Sequence, residues 1–210
     1  MHLIAVFFFV VASCSDSFVV GLSYGLKKIR INLSSNIIIA VMSGLGTLAA
    51  MLLGNFISNY IPMKTSNIIG SSLLILLGLY VIFQSYKNSK SNNKEEQISI
   101  NQNISAFEYC EEILKNPELA DSDLSNNIEL KESLILGFAL SLNNIGLGVG
   151  ASFTGINPYI TSLMSMICSM LFIQAGFHIG DNCISKTLSK HAEVFSGLLI
   201  IILGLYELFI

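Results

Sequence analysis

The stretch "VVASCSDSF", residues 10–18, decides how this chain is read. Val11-Ala12-Ser13-Cys14 has the form of a lipoprotein cleavage box, with an apolar run before it and a cysteine to carry the lipid. Asp16 follows at once, and apolar sequence then resumes through Phe18, Val19, Val20, Gly21 and Leu22. The stretch is therefore either a processing site or the middle of a membrane helix that carries a carboxylate. Two features favour the helix. Residues 1–10 contain no Lys or Arg, so the basic start of a signal peptide is missing. The same element also recurs deep in the chain, where no signal peptide can lie: Ala12, Asp16 and Gly21 return as Ala139, Asn143 and Gly148, at a constant offset of 127. Cys14 takes the place of Ser141 there and is one variable small residue on a helix.

Composition supports the same answer. The 210 residues are 52% hydrophobic and 12% charged, with a mean hydropathy of +0.67. Soluble domains carry roughly 25% charged residues, so the chain is expected to be an all-α integral membrane protein of the bacterial cell membrane. It has no Trp, and Tyr, Lys and Arg are left to anchor it at the interfaces. Cys14, Cys110, Cys168 and Cys183 are scattered, which points to neither a disulfide framework nor a zinc cluster. No basic, aromatic-interleaved stretch suggests nucleic acid. No nucleophile with a neighbouring base is visible either, so the chain does not read as an enzyme.

About 20 apolar residues cross a bilayer as a helix. Six segments qualify, at 3–26, 36–60, 67–86, 133–153, 159–180 and 193–210. Their repeats keep one order. Met42-Ser43, Gly54 and Ile57 of the second return as Met164-Ser165, Gly176 and Ile179 of the fifth, at offset 122. Leu77-Gly78-Leu79-Tyr80 of the third returns as Leu203-Gly204-Leu205-Tyr206 of the sixth, at offset 126. A unit of three spans is odd, so two tandem copies lie in opposite orientations. The expected fold is six transmembrane helices as two inverted three-helix repeats, an arrangement of secondary transporters whose sites lie at the bilayer midplane. The repeats are 1–87 and 131–210, joined by an acidic loop, 88–130. Of the eleven Lys and Arg, only Lys64 falls beside loops two or four. The positive-inside rule then makes the loops around 27–35, 88–130 and 181–192 cytoplasmic and puts both termini outside.

An Asp at a helix centre costs roughly 2.5–3.5 kcal/mol on insertion scales, which makes function its default explanation. Asp16 and Asn143 hold equivalent repeat positions and are expected to face each other across the pseudo-twofold axis. Asn144 and its equivalent Ser17 complete an oxygen-rich set for transport. Such ligands suit hard divalent cations. Met42, Met164 and Cys168 read as packing; Gln174 and His178 lie on the fifth segment, His178 near its cytoplasmic end at the interface. Glu207, close to residue 210, is expected to snorkel outward.

Residues 121–132, "DSDLSNNIELKE", carry a second pattern. A calcium loop of the EF-hand type places oxygens at positions 1, 3, 5, 7, 9 and 12. Here these are Asp121, Asp123, Ser125, Asn127 through its carbonyl, Glu129 and Glu132, with Ile128 at the apolar position 8. Asn126 stands where Gly is usual, and Asn tolerates the left-handed conformation. The alternative is a solvated acidic linker. If the pattern holds, Ca2+ at 121–132 biases transport; no permanently bound cofactor is otherwise expected.

Finally, "SCSDSFVVGLSYGLKKIRI" (13–31) and "LGFALSLNNIGLGVGASFTGINP" (136–158) resemble the paired motifs of the manganese efflux pump / sporulation membrane protein family. "SYGLKKI" and "GASFTGINP" lie nearer its sporulation membrane branch. The resemblance implies six helices and, for the exporter branch, Mn2+ efflux. It makes Asp16 the first-helix aspartate and gives Asn143 the position of the fourth-helix aspartate, an Asn-for-Asp departure. The leading expectation is a divalent cation exporter working by alternating access, with the bilayer and a small cation as partners. The competing expectation is a non-transporting structural or signalling membrane protein of sporulation. Export of a small organic solute, as by amino-acid exporters of similar size, ranks last, because a substrate carboxylate would prefer a basic partner and no Lys or Arg lies mid-membrane. Mass spectrometry of the expressed protein is expected to show an unlipidated Cys14 with residues 1–13 still attached.

Overall fold

The computed structural model describes residues 2–91, 106–121, 125–182 and 187–209. Long helices dominate: α1 (His2–Lys27), α2 (Leu33–Ser58), α3 (Met63–Ser91), a short α4 (Ala106–Lys115), α5 (Leu130–Phe153), α6 (Pro158–Asn182) and α7 (Thr187–Phe209). Two-residue strands, β1 (Arg30–Ile31) and β2 (Asn127–Ile128), pair in parallel. Among the described residues five helices are long and apolar enough to cross a membrane, and the apolar part of α7, Val194–Leu208, is shorter. Large apolar side chains cover the outside of the bundle, Phe83 at 71% exposed and Leu76 at 64% among them. Such a continuous apolar surface marks contact with lipid rather than water.

Local chemistry sets the helix ends. Pro158 opens α6, where its missing N–H costs nothing, and Asn157 Oδ1 accepts from Tyr159 N at 3.0 Å as a cap. Gly155 follows α5 with φ +78°, the left-handed turn that ends many helices. Lys28 takes that role after α1 with φ +59°, and Ile29 N reaches back to Tyr24 O at 3.0 Å. At the start of α5, Glu132 accepts from Glu129 N at 3.0 Å, one half of a capping box.

The long helices pair across the two halves of the chain: α1 packs on α6, α2 on α5, and α3 on α7. Small residues make these contacts. A Cβ on Gly21 would collide with the Ile173 carbonyl, and one on Gly176 with the Phe18 carbonyl. The α2–α5 contact repeats the device, with Gly54 against Ser152 and Gly148 against Ala50. In lipid, helices gain nothing by hiding from water against each other, so close van der Waals contact and interhelical hydrogen bonds must hold them.

The apolar core has two parts. One gathers the first turns of α1, such as Val6 and Phe9, with Leu74, Ala151 and Leu203. The other joins Val20 and Tyr24 with Ile39, Leu136, Leu140 and Ile173, and takes in Cys110, Ile113 and Ile128 from the segment before α5. Part of the loop expected to be an aqueous linker is therefore a lid packed on the bundle. Tyr24 Oη donates to Pro117 O and Ser35 Oγ to Ile128 O, each at 2.7 Å. Burial raises the pKa of the Cys110 thiol, keeping it a protonated, apolar filler. Glu207 departs from expectation: it is 4% exposed. Its place near the chain end says nothing of α3, which packs alongside and whose Asn67 Nδ2 donates to the Glu207 carbonyl at 2.8 Å.

Substitutions at glycine separate the close contacts from the loose ones. Gly21→Ala is expected to lower stability by about 1–3 kcal/mol, as overpacking does. Gly146 has only Leu77 side-chain carbons nearby, the nearest at 3.5 Å, so Gly146→Ala should leave stability unchanged or raise it by up to about 1 kcal/mol through helix propensity. Melting of the purified variants in one detergent checks both.

Candidate functional site

Between the two apolar clusters lies a belt of buried polar side chains. Ser13 and Ser17 of α1, Ser43 and Thr47 of α2, Ser141 and Asn144 of α5, and Ser165 and Ser169 of α6 are each at most 9% exposed. Each hydroxyl meets a local carbonyl or a facing helix. Ser17 Oγ shares a hydrogen with Ser169 Oγ at 2.7 Å, and Ser13 Oγ with Ser165 Oγ at 3.2 Å. Cys14 Sγ donates to Ser165 O at 3.4 Å. Across the bundle, Asn144 Nδ2 donates to Ser43 Oγ at 3.2 Å, and Thr47 Oγ1 donates to Ser43 O at 3.0 Å.

Asp16 and Asn143 meet at this level. Asn143 Nδ2 donates to Asp16 Oδ2, a direct contact between α1 and α5 across 127 positions of sequence. Asp16 is half-buried and Asn143 exposed, so the pair sits at an opening rather than inside packed core. That position leaves the carboxylate reachable while the amide provides a partner. Two of the four residues expected to form the site are thus together. Ser17 and Asn144 are not with them. Neighbours in a helix point about 100° apart, and these two turn into the flanking α1–α6 and α2–α5 interfaces. Asn144 Oδ1 is buried there without a hydrogen-bond partner.

The loop expected to bind calcium has a defined shape. Asp121 is 5% exposed, and its Oδ1 and Oδ2 accept from the Ser125 and Asn126 amides, each at 3.0 Å. Asn126 adopts φ +58°, the left-handed turn its position requires. Ser125 Oγ donates to the Asn127 carbonyl at 2.9 Å. Ile128 pairs with Ile31 in the strands, and Arg30 N donates to Asn126 O at 2.9 Å. Glu129 and Glu132 come together in the cap of α5. Asp123 lies outside the described residues. Among the described residues, no three His, Cys, Asp or Glu side chains are grouped so as to hold a metal. The observed bonds of Asp121 and Glu132 shape a turn and a helix start.

One polar group had no signal in the sequence. Asn36, near the start of α2, is 4% exposed and donates from Nδ2 to Met170 O at 3.2 Å. An isolated Asn next to the Ile37-Ile38-Ile39 run reads as a helix boundary, and only the approach of α6 reveals its burial.

The chain is similar to known proteins along most of its length. The family model described as "Putative manganese efflux pump" matches residues 1–82 and 29–208. The "Probable sporulation protein YtaF" of Bacillus subtilis (strain 168) is 32% identical over 210 residues, covering 99% of this chain and all of that protein. The "Putative manganese efflux pump MntP" of Pectobacterium atrosepticum is 25% identical over 214 residues, covering 99% of this chain and 98% of that one. The protein of the same name from Clostridium perfringens (strain 13 / Type A) is 24% identical over 197 residues, covering 90% and 86%. No solved structure matches. A bundle of long apolar helices, matched along nearly its whole length, makes the chain a multi-pass membrane protein that belongs to the manganese efflux pump (MntP) family.

Proposed function

We propose that this protein exports a divalent cation, Mn2+ first among candidates, by alternating access between two inverted three-helix halves. The contact between Asp16 and Asn143 carries the proposal. Equivalent positions of an inverted repeat meet only near its pseudo-twofold axis, where such transporters hold their cargo. The helix pairing supports the same symmetry. Exchanging the halves turns the α1–α6 pair into α5–α2 and leaves α3–α7 unchanged. The glycines at the contacts follow: Gly21 exchanges with Gly148 and Gly176 with Gly54. The seam positions follow too, since Ser17 exchanges with Asn144 and Ser165 with Ser43, while the hydrogen bonds themselves differ: Ser17 meets Ser169 and Ser165 meets Ser13, whereas Asn144 meets Ser43. In this account α7 crosses as the sixth span, both termini lie outside, and the α4–β2 segment caps the cytoplasmic end.

Chemically, Asp16 supplies the charge and Asn143 the switchable partner. The amide donates Nδ2 to the carboxylate. A cation between them takes an Asp16 oxygen and, after the amide turns over, Asn143 Oδ1. A proton on Asp16 competes with the cation, which couples export to proton entry. The serine belt gives the moving interfaces short, exchangeable hydrogen bonds. The full-length likeness to a protein named for sporulation favours that programme as the setting for export.

Growth in excess Mn2+ and cellular manganese content test this, in a host lacking its own exporter. Wild type should protect and lower the metal; Asp16→Asn should match the empty vector. Asn143→Asp should tighten cation binding, since it adds a second carboxylate. Equal protection by wild type and Asp16→Asn would overturn the proposal. A protein without transport activity would leave manganese content unchanged in all three.

A further inference from the structure

Cys14 of α1 and Cys168 of α6 meet in the α1–α6 seam, where a helix of each half touches the other. Cys14 is buried in the first apolar cluster, and the half-buried Cys168 packs against that cluster. Cys14 Sγ donates to Ser165 O at 3.4 Å, one turn before Cys168 on α6, and the two thiols interact directly. The register of the seam agrees. The helices run parallel, and positions 154 apart face each other turn after turn. The rings of Phe18 and Phe172 are 6.4 Å apart. A Cβ on Gly176 would lie 2.9 Å from Leu22 N, and one on Gly180 would lie 3.0 Å from Leu26 N. Cys14 and Cys168 are a further rung of that ladder. The other seam shows how near such rungs come. Exchanging the halves turns Cys14 into Ser141 and Cys168 into Gly46, and a Cβ on Gly46 would collide with that of Ser141. Serine and glycine thus fill the equivalent rung, so packing alone does not call for two thiols. A disulfide spans only about 3.5–4.5 Å between Cβ atoms, and a rung at which thiol touches thiol is placed to form one.

We infer that Cys14 and Cys168 form a redox site, at which hydrogen peroxide converts the two thiols into a disulfide that staples α1 to α6. Cys168 is the more open of the two and reacts first. Its sulfur takes one peroxide oxygen and becomes a sulfenic acid, while its proton leaves with the other oxygen as water. Cys14 Sγ then attacks the Cys168 sulfur. The S–S bond forms, the S–O bond breaks, and the departing hydroxide takes the Cys14 proton as a second water. The thiols lose two electrons and the peroxide gains them. Apolar surroundings slow the first step, so the site answers sustained rather than brief exposure. The neighbouring thiol completes the second step before the sulfenic acid is oxidised further. The bond joins positions 154 apart in sequence, one in each half of the chain. It fixes a seam along which the halves move in the export mechanism, and so oxidation arrests transport. That consequence rests on the export reading; the cross-link does not.

Treatment of the full-length protein in lipid nanodiscs with hydrogen peroxide tests it. After denaturation, maleimide labelling of wild type should fall from four thiols to two, and a dithiol reductant should restore all four. Proteolysis and mass spectrometry should then show one cross-linked species, joining Cys14 to Cys168. Cys14→Ser should form no cross-link and leave Cys168 as a sulfenic acid that a cyclic 1,3-dione traps. Cys168→Ser should leave Cys14 reduced. Wild type without the cross-link would overturn the inference, as would a cross-link through Cys110 or Cys183 in its place. In the manganese-content assay, peroxide should abolish export by wild type and spare Cys168→Ser. Export that survives complete cross-linking would overturn the arrest of transport. Wild type that exports no Mn2+ even when reduced would overturn the export reading alone, since the cross-link is read on the purified protein.

Discussion

The backbones of α1 and α6 touch at Gly21, Gly25, Gly176 and Gly180, and this close approach governs where polar groups can sit. Lipid tails are as apolar as leucine, so only contact geometry and hydrogen bonds distinguish a correct helix pair from a wrong one. Once the backbones meet at the glycines, side chains one to three turns away must be small, and Ser13, Ser17, Ser165 and Ser169 fill those places. Their hydroxyls are then near enough to bond directly, Ser17 to Ser169 at 2.7 Å. A longer polar side chain at the same level has no room in the seam. Asp16 is turned aside toward α5, where Asn143 meets it. The glycine contact and the carboxylate contact are thus two consequences of one packing.

This arrangement divides the core into apolar halves with a polar layer between them. Apolar packing on its own favours a single tight state, because interiors are close-packed and resist sliding. A seam of serines is different. Its hydrogen bonds are short-range and each can be exchanged for one with water or a neighbouring hydroxyl, at a net cost of about 1 kcal/mol apiece. Two such seams, α1–α6 and α2–α5, flank the Asp16–Asn143 pair. In the export mechanism we propose, they would be the surfaces along which one half rocks against the other. The segment from α4 to β2 closes one end through Tyr24 and Ser35. In the proposed mechanism, opening that end would require release of these two hydrogen bonds.

Much of this was legible in the sequence because a repeat carries three-dimensional information. A constant offset of 127 between Asp16 and Asn143 identifies two equivalent points, and the structure brings those two into contact. Their neighbours Ser17 and Asn144 share the offset but not the location, because a step of one residue turns a side chain by about 100° into another interface. Segment periodicity could have flagged this; residue type alone could not. Glu207 was misread for a related reason: distance from the chain end measures access to water only if no other helix lies alongside, and α3 does. The lid escaped notice because its two-residue strands pair residues nearly a hundred positions apart, and no local pattern announces that. Asn36 lacked even a repeat partner of like chemistry, since offset 122 leads to Pro158.

The amide at 143 changes what the central pair can do. Two carboxylates in direct contact cannot both be ionised without a cation or a shared proton between them. Such a pair binds a dication tightly and is slow to give it up. With Asn143 the pair satisfies itself, the amide donating from Nδ2 to an ionised Asp16 or accepting at Oδ1 from a protonated one. Affinity falls, because one charge instead of two faces the ion. The cost of releasing the ion falls as well, as the proposed export would require. A site of this kind needs help in choosing its ion, since a single carboxylate and an amide carbonyl treat Mg2+ and Mn2+ much alike.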